Sequence, residues 1–328
     1  MQRIAKQTGV IAVLLLLSGC INVDIPLLQP EGELHERTIE GEGKSKILLM
    51  DISGFISEKE RSSGFKERPS MVAEVKESLQ KAEKDQDIVG VILRINSPGG
   101  TVTASDLILH ELLAFKTQRK IPLYACITGI GTSGGYYIAT AADEISAHPT
   151  AITGSIGVLV MQFNVEGLMS KIGVTEKTVK SGDLKDILSP FRPSTPEEEK
   201  IIQGIINSLY QHFMDVVLAR PGGSLTKKEL EKLADGRIFT AEQAVAARLI
   251  DHVCYLDEIV AGMKKKLNLR EAKVIAYYTS GSYRGTIYSG PMVEAPPVVN
   301  LININVDGIE LLSGTEFLYL WEPGSKND

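Results

Sequence analysis

The sequence predicts an α/β fold with a mostly parallel sheet. Two observations predict it: short apolar runs alternate with stretches of helical periodicity, and two of those runs end in glycine-rich loops. With 328 residues, 43% of them hydrophobic and 23% charged, the chain can bury a real core. In chain order, Lys46 to Ile56 reads as a strand. Met71 to Ala82 carries apolar side chains at Val72, Val75, Leu79 and Ala82, which is helical spacing. Val89–Ile95 is a strand, Leu107–Phe115 a helix and Leu123–Ile127 a buried strand. Small residues and helix formers make Ser133–Ala142 a helix, and Ser155–Val160 is a short apolar segment. A long helix begins at Pro196 and runs to about Leu218. Thr195 is its N-cap, and Glu197 to Glu199 sit near the positive end of its dipole. Lys227–Ala234 and Ala241–Ala247 read as further helices. No solenoid-type repeat is present.

The two ends differ from this body. Arg3 and Lys6 precede an apolar run from Val10 to Leu17, which is too short to span a bilayer and has the size of a signal-peptide core. Leu17-Ser18-Gly19-Cys20 follows and resembles the bacterial lipobox, in which the cysteine takes a lipid and becomes the first residue. The expectation is a lipoprotein signal over 1–20, with Cys20 anchoring the chain to a membrane and the body facing the periplasm or the cell exterior. Ile21 supplies no acidic retention signal, so the choice of inner or outer membrane stays open. Residues 21–45 are polar, with Pro26 and Pro30, and read as a tether. From Arg270 onward glycines and prolines multiply, and 269–328 reads as an extension of unreadable role. Within it Val298–Val306 alternates weakly before an Asp307-Gly308 turn signal.

Bulk charge excludes one class of partner. The formal net charge is −6, which gives no electrostatic footprint for nucleic acid. Cys20, Cys126 and Cys254 form no CxxC pair, so no zinc site is expected and no cofactor is implied. Cys126, inside an apolar run, reads as a small buried hydrophobe, and Cys254 likewise.

The chemistry concentrates in the two glycine loops. Asn96-Ser97-Pro98-Gly99-Gly100 follows one strand, and Gly129-Ile130-Gly131-Thr132-Ser133-Gly134-Gly135 follows the next. Side by side on a parallel sheet, they aim peptide N–H groups into one pocket at the carboxyl ends of the strands. Ser133 would open a helix, where the local dipole favours a developing anion. The amides of Gly100 and Gly134 are candidate oxyanion donors, each worth roughly 3–4 kcal/mol of barrier. Neither loop matches the phosphate-binding P-loop or GxGxxG pattern. A nucleophilic serine needs a base. Of the five histidines, only His148 and His252 are contenders, and neither has an acidic partner in a recognisable motif.

Several motifs taken together resemble signal peptide peptidase SppA. They are Asn96–Gly100, Ser133-Gly134-Gly135-Tyr136-Tyr137-Ile138-Ala139, Thr153-Gly154-Ser155-Ile156-Gly157-Val158 and Lys180-Ser181-Gly182-Asp183-Leu184-Lys185-Asp186. Ser189-Pro190-Phe191-Arg192 and Ala234-Asp235-Gly236-Arg237 extend the match in the family's order, over roughly 46–268. The resemblance implies a ClpP/crotonase-like fold of stacked β-β-α units. It implies a serine endopeptidase with Ser133 as nucleophile, Lys185 as general base and Ser155 as the hydroxyl that holds the lysine. It further implies signal-peptide remnants or other short apolar segments as substrates, and a ring-like homo-oligomer in which neighbouring subunits contribute serine and lysine. The family's usual transmembrane anchor is replaced here by the lipid expected on Cys20.

A lysine acting as base near pH 7 must be neutral. A free lysine has a pKa of about 10.4, so a shift of about 3 units asks for about 4 kcal/mol against the ammonium. Burial at an apolar interface supplies shifts of that size. Tyr136, Tyr137 and Ile138 are the expected cover for such an interface, while Lys177 and Lys180 read as a solvated face. Two other readings compete. A crotonase-type acyl-CoA enzyme shares the fold but needs neither Ser133 nor Lys185 and has no use for a lipobox. A catalytically inactive scaffold lipoprotein would keep the fold alone.

Overall fold

The chain's aliphatic runs become strands covered on both faces. In the computed structural model, which describes residues 34–63, 66–278 and 316–321, the elements come in this order. First are β1 (His35–Glu40), β2 (Lys46–Ser53), and the paired short strands β3 (Arg61–Ser63) and β4 (Lys66–Arg68). Next are α1 (Met71–Lys84), β5 (Ile88–Ser97), β6 (Gly99–Thr101), α2 (Val102–Arg119), β7 (Leu123–Thr132) and α3 (Gly134–Ala139). Then come β8 (Glu144–Ala147), β9 (Ile152–Gly154), β10 (Leu159–Val160), α4 (Glu166–Lys171), α5 (Pro196–Leu218) and α6 (Lys227–Glu231). The last are β11 (Ile238–Thr240), α7 (Ala241–Ala246), β12 (His252–Val253), α8 (Leu256–Lys266), β13 (Lys273–Tyr278) and β14 (Phe317–Leu320).

The main sheet runs β1-β13-β2-β5-β7-β8-β12. β9 branches from β7, in parallel, and carries β11; all neighbours in the sheet are parallel except β1 on β13 and β11 on β9, which are antiparallel. This is the α/β architecture with a mostly parallel sheet that the sequence predicts. Because side chains alternate across a strand, each strand feeds two cores. Leu48, Met50, Ile52, Leu93 and Ile95 pack with α1 and α2 on one face. Ile47, Leu49, Ile92 and Tyr124 pack against Leu256, Ile259, Val260 and Met263 of α8 on the other. Helix starts agree with their sequence signals. Ser70 Oγ accepts from the Ala73 amide at 3.2 Å, and Thr195 and Glu198 close a capping box around Pro196.

Four expectations need correction. The tether does not extend through 45, because β1 occupies His35–Glu40. Its side chains are almost all exposed, so no apolar alternation marked it; pairing with β13 makes it a strand. Lys46 secures that edge through Glu36 and Asp85, each at 2.8 Å. The body does not end at 268, since β13 lies inside the sheet beside β2. Tyr136, Tyr137 and Ile138 are fully buried in the chain's own core, so they cannot cover an interface. The Tyr136 and Tyr137 hydroxyls donate to Leu249 O and Asp106 Oδ1, both at 2.7 Å. Finally, Cys126 is buried as expected, but Cys254 is only half-buried. The signal segment with Cys20, residues 21–33 and the 298–308 stretch lie outside the described residues.

Leu48 is central to the larger core. Leu48→Ala should lower stability by about 2–5 kcal/mol in urea unfolding, whereas Thr38→Ala on exposed β1 should stay within about 0.5 kcal/mol.

Candidate active site

Two loops meet where β5 and β7 end. The first is held rigidly. Ser97 Oγ donates to Gly54 O at 2.6 Å and accepts the Gly99 amide at 3.1 Å. Ile56 clamps the glycines from outside, donating to Gly99 O and accepting from the Thr101 amide, both at 2.9 Å. Gly99 has φ +109°, and a methyl on Gly100 would stand 1.9 Å from Ile56 O. Only glycine fits either place. Asn96 Oδ1 accepts the Ile130 amide at 3.1 Å and so ties the first loop to the second.

Ser133 sits at the turn from β7 into α3 with φ 52° and ψ −115°. A non-glycine residue held there stores about 1–3 kcal/mol of strain. Its amide donates to Gly154 O at 2.8 Å, at the end of the register that pairs Thr132 with Gly154. Its Oγ is buried and has no hydrogen-bond partner among the described residues. The Gly134 amide comes directly after it, and a methyl on Gly134 would lie 3.2 Å from the Gly100 nitrogen. The backbone nitrogen of Gly100 thus lies beside the residue that follows the serine. Ser155 is also in the left-handed region, at φ 50°, and is buried. Its amide donates to Arg237 O at 2.7 Å, so the Asp235-Gly236-Arg237 motif positions it.

Lys185 is not brought to this place. It is exposed, in a turn closed by its amide on Gly182 O at 3.1 Å. It lines a shallow cleft with Ser181, Asp183 and Glu197. The segment is anchored from behind. Asp186 accepts from Arg192 at 2.7 Å and Lys180 at 2.6 Å, and Arg192 also donates to Glu198. Arg192 and Lys180 hold the Asp186 carboxyl well below its usual range. Arg192, with the Thr195 amide, holds Glu198 at about 2. Lys180 is thus a structural ion-pair partner, and Lys177 is exposed. Around this segment Phe163, Leu168, Ile172, Val174 and Val179 expose large apolar area, with Val179 at 90%. The histidine contenders stand apart from the serine. His148 is buried against Tyr255, and burial lowers its pKa. His252 is exposed, 3.7 Å from Glu144. Neither bonds Ser133 Oγ.

Sequence reasoning missed one component. β14 pairs antiparallel with β6, matching Leu318 to Thr101, Tyr319 to Gly100 and Leu320 to Gly99. Its other edge pairs with β10. The apolar run Phe317-Leu318-Tyr319-Leu320-Trp321 was the available signal, hidden behind a glycine- and proline-rich stretch.

Residues 115–270, which include Ser133, Ser155 and Lys185, match the model of Peptidase family S49. A candidate signal peptide peptidase SppA of Enterococcus faecium is 37% identical over 246 residues, covering 75% of this chain and 71% of that one. The chain belongs to peptidase family S49. Within S49 it is also similar to the chloroplastic serine protease SPPA of Arabidopsis thaliana, 30% identical over 82% of this chain and 38% of that one. Protease 4 of Salmonella typhi is 34% identical over 59% and 31%. The chain therefore spans about a third of the length of these two longer relatives. A solved membrane-bound stomatin-specific protease overlaps it at a TM-score of 0.40 and 16% identity, over 67% of this chain and 85% of that one.

The ion pairs behind the Lys185 segment give this S49 chain a pH signature. Glu198 has its pKa lowered from 4.5 to about 2, so its stabilising effect is full above about 5 and lost as pH falls toward 2. Glu198→Gln should melt below wild type at pH 7, and the gap should close between pH 5 and pH 2 in thermal scans.

Proposed function

We propose that this S49 chain is a membrane-anchored serine endopeptidase working with a Ser–Lys dyad, Ser133 as nucleophile and Lys185 of a neighbouring copy as base. The observation that supports it best is the split site. A buried Ser133 Oγ, without a hydrogen-bond partner among the described residues, stands beside two glycine amides, while Lys185 lies on an exposed segment flanked by exposed apolar side chains. Joining copies through that apolar segment would bury an ammonium and favour the neutral amine a base requires. Closed rings built by head-to-tail contacts place one subunit's segment at the next subunit's site.

In the proposed reaction Lys185 Nζ takes the Ser133 proton as Oγ adds to the substrate carbonyl. The Gly100 and Gly134 amides donate to the developing oxyanion, and the preformed loops make that stabilisation available without reorganisation. Lys185 then returns the proton to the leaving amine, and water completes the cycle. Ser155 and Ser133 each come one residue after the paired Thr132 and Gly154, and Ser155 would accept from and orient the lysine. Substrates would be short apolar unfolded segments, including signal-peptide remnants, pairing as a strand with Gly99–Thr101 in the place that β14 holds in the single chain. The lipid expected on Cys20 would hold the enzyme at the membrane that supplies such segments. Among the described residues no helix is long and apolar enough to cross a bilayer.

The test is hydrolysis of short apolar peptides by Ser133→Ala, Lys185→Ala and their mixture. Each variant alone should lose at least about 10³-fold in rate, since either member of the pair is needed. Subunits of the two variants, dissociated and reassembled together, should regain activity at roughly a quarter of the junctions by random mixing. Activity in either single variant, or none in a mixture shown to co-assemble, would rule out the shared dyad.

A further inference from the structure

The proposed dyad needs a lysine aimed at another copy, and Lys185 stands on a segment with little packing to aim it. Every residue from Ser170 to Lys185 is exposed, so no core contact fixes the direction of the lysine. Short backbone turns follow one another here. The Lys185 amide donates to Gly182 O at 3.1 Å, Ile187 to Leu184 O at 3.2 Å and Ser189 to Asp186 O at 3.0 Å. Leu188 has φ 64°, a left-handed conformation that leucine rarely adopts. A run of turns with such a residue inside it keeps one form when the surroundings over-determine it.

Arg192 provides that hold by gripping two carboxylates at once. Toward the turn, its Nε donates to Asp186 Oδ2 at 3.0 Å and its Nη2 to Asp186 Oδ1 at 2.7 Å; Nη2 also reaches the Asp186 carbonyl at 3.3 Å. Toward α5, Nη1 donates to Glu198 Oε2 at 2.8 Å and Nη2 donates to Glu198 Oε1. Glu198 is 1% exposed, and its carboxylate accepts the Thr195 amide at 2.8 Å within the capping box. α5 is rooted in the larger core by Phe213, Met214 and Val217. A continuous path therefore runs from the core through α5, Glu198, Arg192 and Asp186 to the residue before Asp186, which is Lys185.

The same clasp separates the two lysines of the turn. Lys180 Nζ donates to Asp186 Oδ1 at 2.6 Å and to Asp183 O at 2.9 Å, so its ammonium is taken up. Lys185 lines the neighbouring cleft with Asp183 and Glu197 and forms no ion pair among the described residues.

We propose that Arg192 is a positioning residue for the base: it clamps the Lys185 turn to the first turn of α5, so that the lysine of one copy reaches the neighbour's Ser133 in a single direction. This rests on the shared Ser–Lys dyad of the proposed function. A lysine at position 192 brings a point charge and cannot bind two carboxylates in fork geometry. Misplacing a reacting group by about 1 Å costs on the order of 10²-fold in rate. The loss falls on kcat, because the substrate strand of the proposed function pairs with Gly99–Thr101 and not with the clasp.

The test uses assemblies in which the serine and the lysine come from known copies. Ser133→Ala supplies only the lysine and Lys185→Ala only the serine, so their co-assembled mixture hydrolyses a short apolar peptide through junctions of one with the other. Arg192→Lys is then added to one partner at a time. Asp186→Asn, which removes the charge that Arg192 grips, is added in the same way in a second series. Either change on the lysine-supplying copy should lower kcat of the mixture by about 10²-fold and leave KM within about twofold. On the serine-supplying copy, which has no lysine to aim, it should leave the rate within about twofold of the parent mixture. Light scattering checks that assembly size is unchanged. Equal loss from either copy, loss of assembly with both changes, or no loss from either copy would overturn the inference. A parent mixture that co-assembles without activity would overturn the proposed function and the positioning role together.

Discussion

The Ser133 amide donates to Gly154 O at 2.8 Å, and the geometry of the site depends on that bond. It holds the serine in a backbone region that costs about 1–3 kcal/mol, more than the roughly 1 kcal/mol net of one hydrogen bond. The balance comes from the short helix that the turn opens. α3 is buried throughout, and its two tyrosines satisfy their hydroxyls on Leu249 O and Asp106. Burial of two such aromatics exceeds the strain several-fold. The parallel pairing of β5, β7 and β9 then sets the Asn96–Gly100 loop on one side of the serine and Ser155 on the other.

The rigid and the exposed parts divide the chemistry. Ser133, Gly100, Gly134 and Ser155 are fixed by sheet register and by carbonyls that accept their neighbours' amides. Lys185 rides on an exposed segment anchored from behind by Asp186, Arg192 and Glu198. A lysine cannot work as a base while water solvates its ammonium. On the proposed function, leaving Lys185 outside until copies meet would keep the single chain inert and make assembly the step that completes the site.

Much of this was legible in the sequence because the relevant signals are local. Aliphatic runs such as Val91–Ile95 mark strands buried on both faces, and Thr195-Pro196 with Glu198 marks the start of α5 to the residue. Gly99, Gly100 and Gly134 announce close backbone approaches, and the structure places all three within a few ångströms of one another. Three things were not legible. β1 is polar and exists through its partner. β13 and β14 border a stretch whose composition reads as loop. The fate of Tyr136 and Tyr137 depends on how α3 tucks under α5, a long-range fact no local pattern encodes. The base is a different case: Lys185 was named through family resemblance, and no contact among the described residues joins it to the serine.

Ser133, on this account, becomes reactive only when Lys185 of another copy reaches it. Peptide mapping after treatment with a fluorophosphonate, which labels activated serines, tests this most directly. The expected result is an adduct on Ser133 in the assembled wild type, and none on dissociated subunits or on Lys185→Ala at equal assembly size. An adduct on Ser133 of equal yield in Lys185→Ala or in the dissociated chain would contradict it, because the serine would then be activated from within its own subunit.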